Sequence, residues 1–220
     1  MSWKRFEREA SRYEAWYATP RGRRASRAET ALLAWLLAPF SDARSALDVG
    51  CGSGHFTSWL ARRGLRPIGL DRAPAMLAVM RRQLPQCPAL LADAHALPVR
   101  DRGVDLVILV ATLEFLEDPR AALAEAARVA RRGVVAVALS RWSVGALSRR
   151  LGPAARGALL PHARDLSPPG LRRLLGQAAA GRLVGLRARS ALLPRPFPAG
   201  PTPIPVGDVV GVAAELRDRR

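Results

Sequence analysis

The run ALDVGCGSGHFT at residues 46–57 constrains this chain more than any other stretch. Leu47 and Val49 close an apolar approach, Gly50, Gly52 and Gly54 alternate with small or polar residues, and Phe56, Trp59 and Leu60 then recur at helical spacing. This pattern predicts a strand, a glycine turn and a helix, the unit from which open α/β sheets are built. Glycines at such a turn accept positive φ and let a ligand approach the backbone without meeting a Cβ. Charge narrows the ligand. A dinucleotide site wants G-x-G-x-x-G with the helix N-terminus left bare for a pyrophosphate. Here the spacing is G-x-G-x-G, His55 stands directly after Gly54, and the carboxylate of Asp48 before the turn would repel phosphate. The triphosphate loop G-x-x-x-x-G-K-S/T does not occur.

S-adenosylmethionine has no phosphate and carries a sulfonium and an ammonium, so an acid beside the turn suits it. Residues 46–57 resemble motif I of the class I S-adenosylmethionine-dependent methyltransferases, and the pattern continues block by block to about residue 139. The nearest likeness is to the broad small-molecule branch, type 11, which includes the quinone-biosynthesis methyltransferases. The resemblance implies a Rossmann-like, doubly wound α/β domain of seven strands, mostly parallel with an antiparallel last strand. It implies S-adenosylmethionine as methyl donor. It also divides a single methyltransferase domain, 1–220, into an N-terminal helical lid over 1–40, a cofactor-binding core over 46–139, and substrate-side elements with closing strands over 140–220.

The cofactor contacts that follow begin at the turn, with Asp48, Gly50, Cys51, Gly52 and Gly54. Asp71 ends a second short strand about twenty residues further on, where an acid takes the ribose hydroxyls. Arg72 and Met76 follow it, and Pro74 opens a helix through Met76, Leu77 and Met80. Asp93 or the backbone of Ala94, after a third strand at 89–92, meets the adenine amine in the family. Val110 ends a near-continuous apolar strand over 104–110, suited to burial on both faces, and Thr112 and Glu114 follow it in a loop expected beside the transferable methyl. Thr112 and Glu114 hold an acceptor hydroxyl or cap the turn. Asp48, Asp71, Asp93 and Glu114 together are expected to face an acidic cleft suited to a cationic donor.

Tyr13 and Tyr17 are candidate cofactor or substrate contacts from the lid, or else apolar area packing the lid on the sheet. His95, His162 and Glu114 are candidate catalytic groups; both histidines also read as ordinary loop residues. The loop after residue 110 lacks the Asn/Asp-Pro-Pro-aromatic tetrad of base-amine methylation and the Pro-Cys of cytosine-C5 chemistry. No His, Cys or acid spacing suggests a metal. Later elements read as a strand at 133–139, short helices over 144–151 and after Ser167, and closing strands at 184–193 and 206–216.

Composition bounds the remaining classes. Of the two cysteines, Cys51 lies in the glycine turn and Cys87 between Gln86 and Pro88, so a disulfide framework is not indicated and a reducing cytoplasm is the expected location. The N-terminus has no apolar signal core, and the run at 104–111 is broken by Asp105 and far shorter than the roughly 20 residues of a transmembrane helix. The net charge is +17, which invites nucleic acid or an anionic membrane surface. Yet Lys4 is the single lysine and arginine is accompanied by abundant alanine, glycine and proline, a pattern of coding bias in which Arg62-Arg63, Arg81-Arg82, Arg131-Arg132, Arg149-Arg150 and Arg172-Arg173 are solvated residues, mostly at helix ends. The leading function is methyl transfer to a small-molecule acceptor. An RNA methyltransferase and a non-catalytic S-adenosylmethionine-binding protein are the alternatives.

Overall fold

The computed structural model describes residues 7, 15–143, 146–147, 165–194 and 196–218. Its strands are β1 (Ser45–Val49), β2 (Arg66–Asp71), β3 (Ala89–Leu91), β4 (Val104–Val110), β5 (Ala130–Leu139), β6 (Leu183–Ala191) and β7 (Val209–Leu216). They form one sheet in the order β3-β2-β1-β4-β5-β7-β6. Pairings from β3 through β5 are parallel, and β7 runs antiparallel to both β5 and β6. The order reverses between β1 and β4, which is the place where an open sheet leaves a crevice at its carboxyl edge.

The helices are α1 (Pro20–Leu37), α2 (His55–Arg62), α3 (Pro74–Gln83), α4 (Pro119–Val129) and α5 (Pro168–Ala178). Four of them start with proline, whose missing N–H costs nothing in a first turn. Thr19, Asp118 and Ser167 cap α1, α4 and α5 by accepting backbone N–H bonds. The apolar stripe of α1, with Leu32, Leu33 and Leu36, packs with Val135, Val137 and Ala213 on one side of the sheet. On the other side Leu123 and Ala126 of α4 and Leu171 and Leu175 of α5 pack with Val107, Leu109, Val134 and Val212.

Every residue of β4 is buried, including Asp105. That acid is satisfied in place: its Oδ2 accepts from the Arg44 and Ser45 backbone N–H groups at 2.8 and 3.0 Å, and Arg131 pairs with its other oxygen. Burial alone would raise the Asp105 pKa, but these partners outweigh it and hold the carboxyl below its usual value. Arg131 and Arg132 do not end a helix, as their spacing suggested. α4 stops at Val129 and β5 begins at once, so the pair lies on the first residues of β5, where Arg132 meets Asp42 at 2.5 Å. The strand is accordingly three residues longer at its start than the apolar run over 133–139 indicates. Other arginines are tied down too. Arg128 bridges Glu125, Asp101 and the Val99 and Leu97 carbonyls, while Arg182 donates to the Ala127, Ala130 and Arg131 carbonyls.

The helix expected over 144–151 falls mostly outside the described residues; 146 and 147 are helical. No helix among the described residues is long and apolar enough to cross a membrane.

Candidate functional site

Between Val49 and α2 the chain turns through Gly50 and Gly52, at φ +73° and +54°, a region that residues with a Cβ rarely occupy. The Gly50 and Cys51 N–H groups both donate to the Leu70 carbonyl, at 2.7 and 3.0 Å, which folds the turn over the end of β2. A Cβ at Gly50 would stand 2.4 Å from Thr112 Cγ2, so the glycine is also what lets the end of β4 come close. Thr112 completes that junction by donating its hydroxyl to the Val49 and Val110 carbonyls at 3.0 and 3.1 Å.

Asp71 sits across from the turn. Its Oδ2 accepts the Gly52 N–H and its Oδ1 the Ala73 N–H, each at 2.8 Å, so the carboxylate fixes both the glycine turn and the entry to α3. Burial raises the Asp71 pKa, and these backbone bonds oppose the rise. Asp93 lies on the neighbouring strand end. Its Oδ1 meets His95 Nδ1 at 2.6 Å and the His95 N–H at 3.0 Å, and its Oδ2 pairs with Arg72 at 3.2 Å. Burial pushes Asp93 upward, but the His95 bonds and Arg72 outweigh it and keep the acid ionised to lower pH than usual. The Asp118 N–H points at His95 Nε2 from 3.3 Å. A ring nitrogen that receives an N–H uses its lone pair, so Nδ1 carries the proton given to Asp93.

One cavity gathers these groups. Gly50, Gly52, Asp71, Arg72, Met76, Asp93, Ala94, Thr112 and the catalytic candidate His95 all line it. The remaining sequence candidates stand elsewhere. Asp48 is buried behind the turn, where its Oδ2 accepts the Thr57 hydroxyl at 2.6 Å; burial first, with the nearby Asp71 charge adding, raises its pKa to about 7. Cys51 is buried with its sulfur 3.5 Å from Met80 Sδ, and burial lifts its thiol well above the usual range. Gly54 caps α2 against Met80 and Leu84, and Val110 is in the core. Glu114 is buried away from the cavity wall, accepting the Leu139 N–H, so two of the four acids expected in the cleft line it. Tyr17 stacks on His55, with centroids 3.9 Å apart and planes at 8°, while Ser26 Oγ meets His55 Nε2 at 2.8 Å. Tyr13 and His162 lie outside the described residues.

The cavity also uses residues that the sequence did not single out: Leu70, Ala92, Ala111, Phe115, Leu116 and Glu117. Leu70 and Ala92 each precede one of the two lining aspartates, and that position on a strand end was a usable signal. Ala111, at φ +49°, and the 3-10 turn Leu113–Phe115 carry no periodicity from which they could be read. Among the described residues no group of His, Cys, Asp and Glu is arranged to hold a metal ion.

The donor set fits an adenosyl cation. Leu70, Met76, Phe115 and Leu116 give the cavity apolar wall beside the carboxylates of Asp71 and Asp93, the glycine turn offers bare backbone, and the lining arginine is paired with Asp93. A phosphate would meet carboxylates instead of a cradle of N–H groups.

Residues 47–138 match the family described as a methyltransferase domain. An uncharacterized methyltransferase of Mycobacterium bovis is 42% identical over 99 residues, covering 45% of this chain and 40% of that protein. A malonyl-(acyl-carrier protein) O-methyltransferase of Serratia marcescens is 38% identical over 108 residues, covering 49% of this chain and 42% of that protein. The matches thus span about two fifths of the curated relatives' length. Among solved structures, a SAM-dependent methyltransferase of Thermotoga maritima described as a possible histamine N-methyltransferase superposes with a TM-score of 0.79 at 20% identity, over 99% of this chain and 100% of that one. That likeness extends the fold through the elements beyond residue 138.

Proposed function

We propose that this chain, whose residues 47–138 match the methyltransferase-domain family, is a class I S-adenosylmethionine-dependent methyltransferase of type 11 that transfers the donor's methyl group to a small-molecule acceptor. The observation that carries the reading is one cavity lined by Asp71 and Asp93, from the ends of neighbouring strands, by apolar side chains and by the glycine turn. In this reading the free lone pairs of Asp71 accept from the ribose hydroxyls, Leu70, Met76 and Leu116 sandwich the base, and Asp93 with the Ala94 backbone reads the exocyclic amine. S-adenosylmethionine, when bound, supplies a methyl group already activated by the sulfonium.

What the chain adds is placement. Thr112, pinned to β1 and β4, sets the floor beside the turn, and excluding water from the cavity favours attack by the acceptor at the proper distance and angle. His95 serves here as a brace and not as a base, because its lone pair is occupied by Asp118 N–H and its proton by Asp93. The N-terminal segment is proposed as the lid: Glu7 already reaches the Ala75 N–H at the start of α3, and Tyr17 is stacked on the first turn of α2. Tyr13 and His162 stay candidates for the acceptor side.

A small acceptor is preferred to RNA because the loop after β4 carries neither of the base-methylation motifs and because several arginines are committed to internal partners. The Serratia marcescens relative acts, by its name, on a malonyl group held on acyl-carrier protein and not on a nucleic acid. Calorimetry with S-adenosylhomocysteine, S-adenosylmethionine, NAD and ATP tests the site, and binding of the first two alone is expected. Labelled methyl groups should then appear in the small-molecule fraction of an extract. Tight NAD binding with no response to S-adenosylhomocysteine would end the reading; stoichiometric methylation of a defined RNA site would replace the acceptor class and leave the cofactor site standing.

A further inference from the structure

Four large apolar side chains stand exposed on segments that leave the carboxyl edge of the sheet: Trp142 at 45%, Phe197 at 60%, Ile204 at 50% and Val206 at 45%. Trp142 follows β5, and the other three belong to the connection from β6 to β7. The two segments are joined, since the Ser140 N–H donates to the Asp208 carbonyl at 2.9 Å. The start of α1 is joined as well, through Arg24, whose guanidinium donates to the Leu193 and Phe197 carbonyls at 2.9 and 3.2 Å.

The β6–β7 connection is not a loose loop. Leu192 N–H donates to Ala199 O at 2.8 Å, Phe197 N–H to Pro194 O at 3.0 Å and Asp208 N–H to Leu192 O at 3.1 Å, and Ser190 and Thr202 exchange backbone bonds at 3.0 and 2.8 Å. Gly207 fits so closely that a Cβ would lie 2.2 Å from the Ala191 carbonyl. Prolines at 194, 196, 198, 201, 203 and 205 stiffen it further. A stretch held this firmly had the means to fold its apolar side chains inward, and it presents them to solvent. Exposed apolar side chains grouped on one face mark a surface with a partner.

Charge identifies the partner. Arg21, Arg23 and Arg27 on the first turns of α1, whose start Arg24 ties to this edge, and Arg141 beside Trp142 are all exposed, in a chain of net charge +17. The acids nearest in sequence to this edge, Asp165 and Asp208, are half-buried. We infer that this edge is an interfacial membrane-binding surface, in which Trp142, Phe197, Ile204 and Val206 enter the headgroup boundary of an anionic bilayer while the arginines pair with lipid phosphates. Aromatic and aliphatic side chains among arginines are the composition of such surfaces. Ile204 and Val206 offer nothing to a nucleic acid base, for which flat aromatic platforms are needed. The cavity lined by Asp71 and Asp93 lies at the carboxyl ends of β2, β3 and β4, on this same edge of the sheet, so the bound orientation brings that edge to the bilayer; access for a lipid-dissolved acceptor is a consequence that rests on the function proposed above.

Sedimentation of the full chain with vesicles of phosphatidylcholine, with and without phosphatidylglycerol, tests the surface. Binding is expected to the anionic vesicles only, with a blue shift of Trp142 emission assigned by its loss in Trp142→Phe. Each arginine near an anionic surface is worth about 1 kcal/mol, or about fivefold, so the triple variant Arg21→Ser, Arg23→Ser, Arg27→Ser should bind roughly a hundredfold more weakly. Phe197→Asp with Ile204→Asp should abolish both binding and the blue shift while S-adenosylhomocysteine affinity matches the parent, and in both variants the melting temperature should match the parent. Failure of the parent to bind anionic vesicles overturns the proposal. So does vesicle binding that survives the Phe197 and Ile204 changes, which would be adsorption by charge alone, and so does salt-resistant binding to RNA with none to vesicles.

Discussion

Replacing Asp71 with alanine separates the structural job of its carboxylate, holding the turn, from the proposed one of accepting from the ribose. The structure gives it two backbone partners, the Gly52 and Ala73 N–H groups, each at 2.8 Å. Hydrogen bonds to an ionised acceptor contribute about 1.5–3 kcal/mol each. Water entering from the cavity can satisfy the released N–H groups, and removing a buried charge returns some desolvation energy, so the low end applies and Asp71→Ala should destabilise the ligand-free protein by about 3 kcal/mol. With a urea dependence of about 2 kcal/mol per molar for a chain of this class, the unfolding midpoint should fall by roughly 1.5 M. Affinity for S-adenosylhomocysteine, measured by calorimetry where the variant is still folded, should drop at least about tenfold through loss of the ribose acceptor. Asp71→Asn keeps one acceptor oxygen and should lie between the two in stability. A midpoint unchanged in Asp71→Ala would refute the claim that this side chain holds the turn, and unchanged affinity in a folded variant would remove it from the ribose.

Glu29 is buried with an Oε2 that has no hydrogen-bond partner among the described residues, and burial, with the Glu114 charge adding, raises its pKa from 4.5 to about 7. A raised folded-state pKa means that the folded form holds its proton longer, so stability is full below the unfolded value and is lost as pH rises toward the folded one. Glu29→Gln lacks that loss and should gain on the parent by roughly 2.5 kcal/mol between pH 5 and pH 8 in urea titrations, whatever constant offset the amide brings; parallel pH profiles would contradict the assignment. Gly50→Ala meets both the positive φ and Thr112 at 2.4 Å, so it should destabilise by about 2–4 kcal/mol and lose cofactor affinity, and a variant of parental melting temperature would show that the turn yields more easily than its geometry suggests.

Much of the fold was legible because it is written in short-range signals. β4 is a continuous apolar run, and a strand buried on both faces needs nothing else. Helix starts at Pro74, Pro119 and Pro168 follow from the fixed φ of proline, and the cap at Ser167 from its hydroxyl. The order of the strands is different: no periodicity dictates that β7 inserts between β5 and β6, and resemblance supplied only the antiparallel direction of that last strand. Arg131 and Arg132 mark where local reading failed, because a basic pair reads alike at a helix end and at a strand start, and only the long-range meeting with Asp105 and Asp42 decides.

At the site, the sequence supplied the right residue types and left their allegiance open. Asp48, Asp71, Asp93 and Glu114 look equivalent as acids after strands. They part according to what lies within hydrogen-bond reach: Thr57 draws Asp48 behind the turn, the Leu139 N–H draws Glu114 toward β5, and Asp71 and Asp93 are left on the cavity wall with backbone and side-chain donors that leave lone pairs to spare. Arginines divide in the same way. Arg128, Arg131 and Arg182 spend their donors on the protein's own carboxylates and carbonyls, so they add to net charge without offering it to a partner. The charge that matters for recognition is the exposed remainder, and Arg141, beside the exposed Trp142, and Arg21, Arg23 and Arg27 at the start of α1 belong to it. Composition alone therefore argues for coding bias, while placement argues that part of the bias has been put to use.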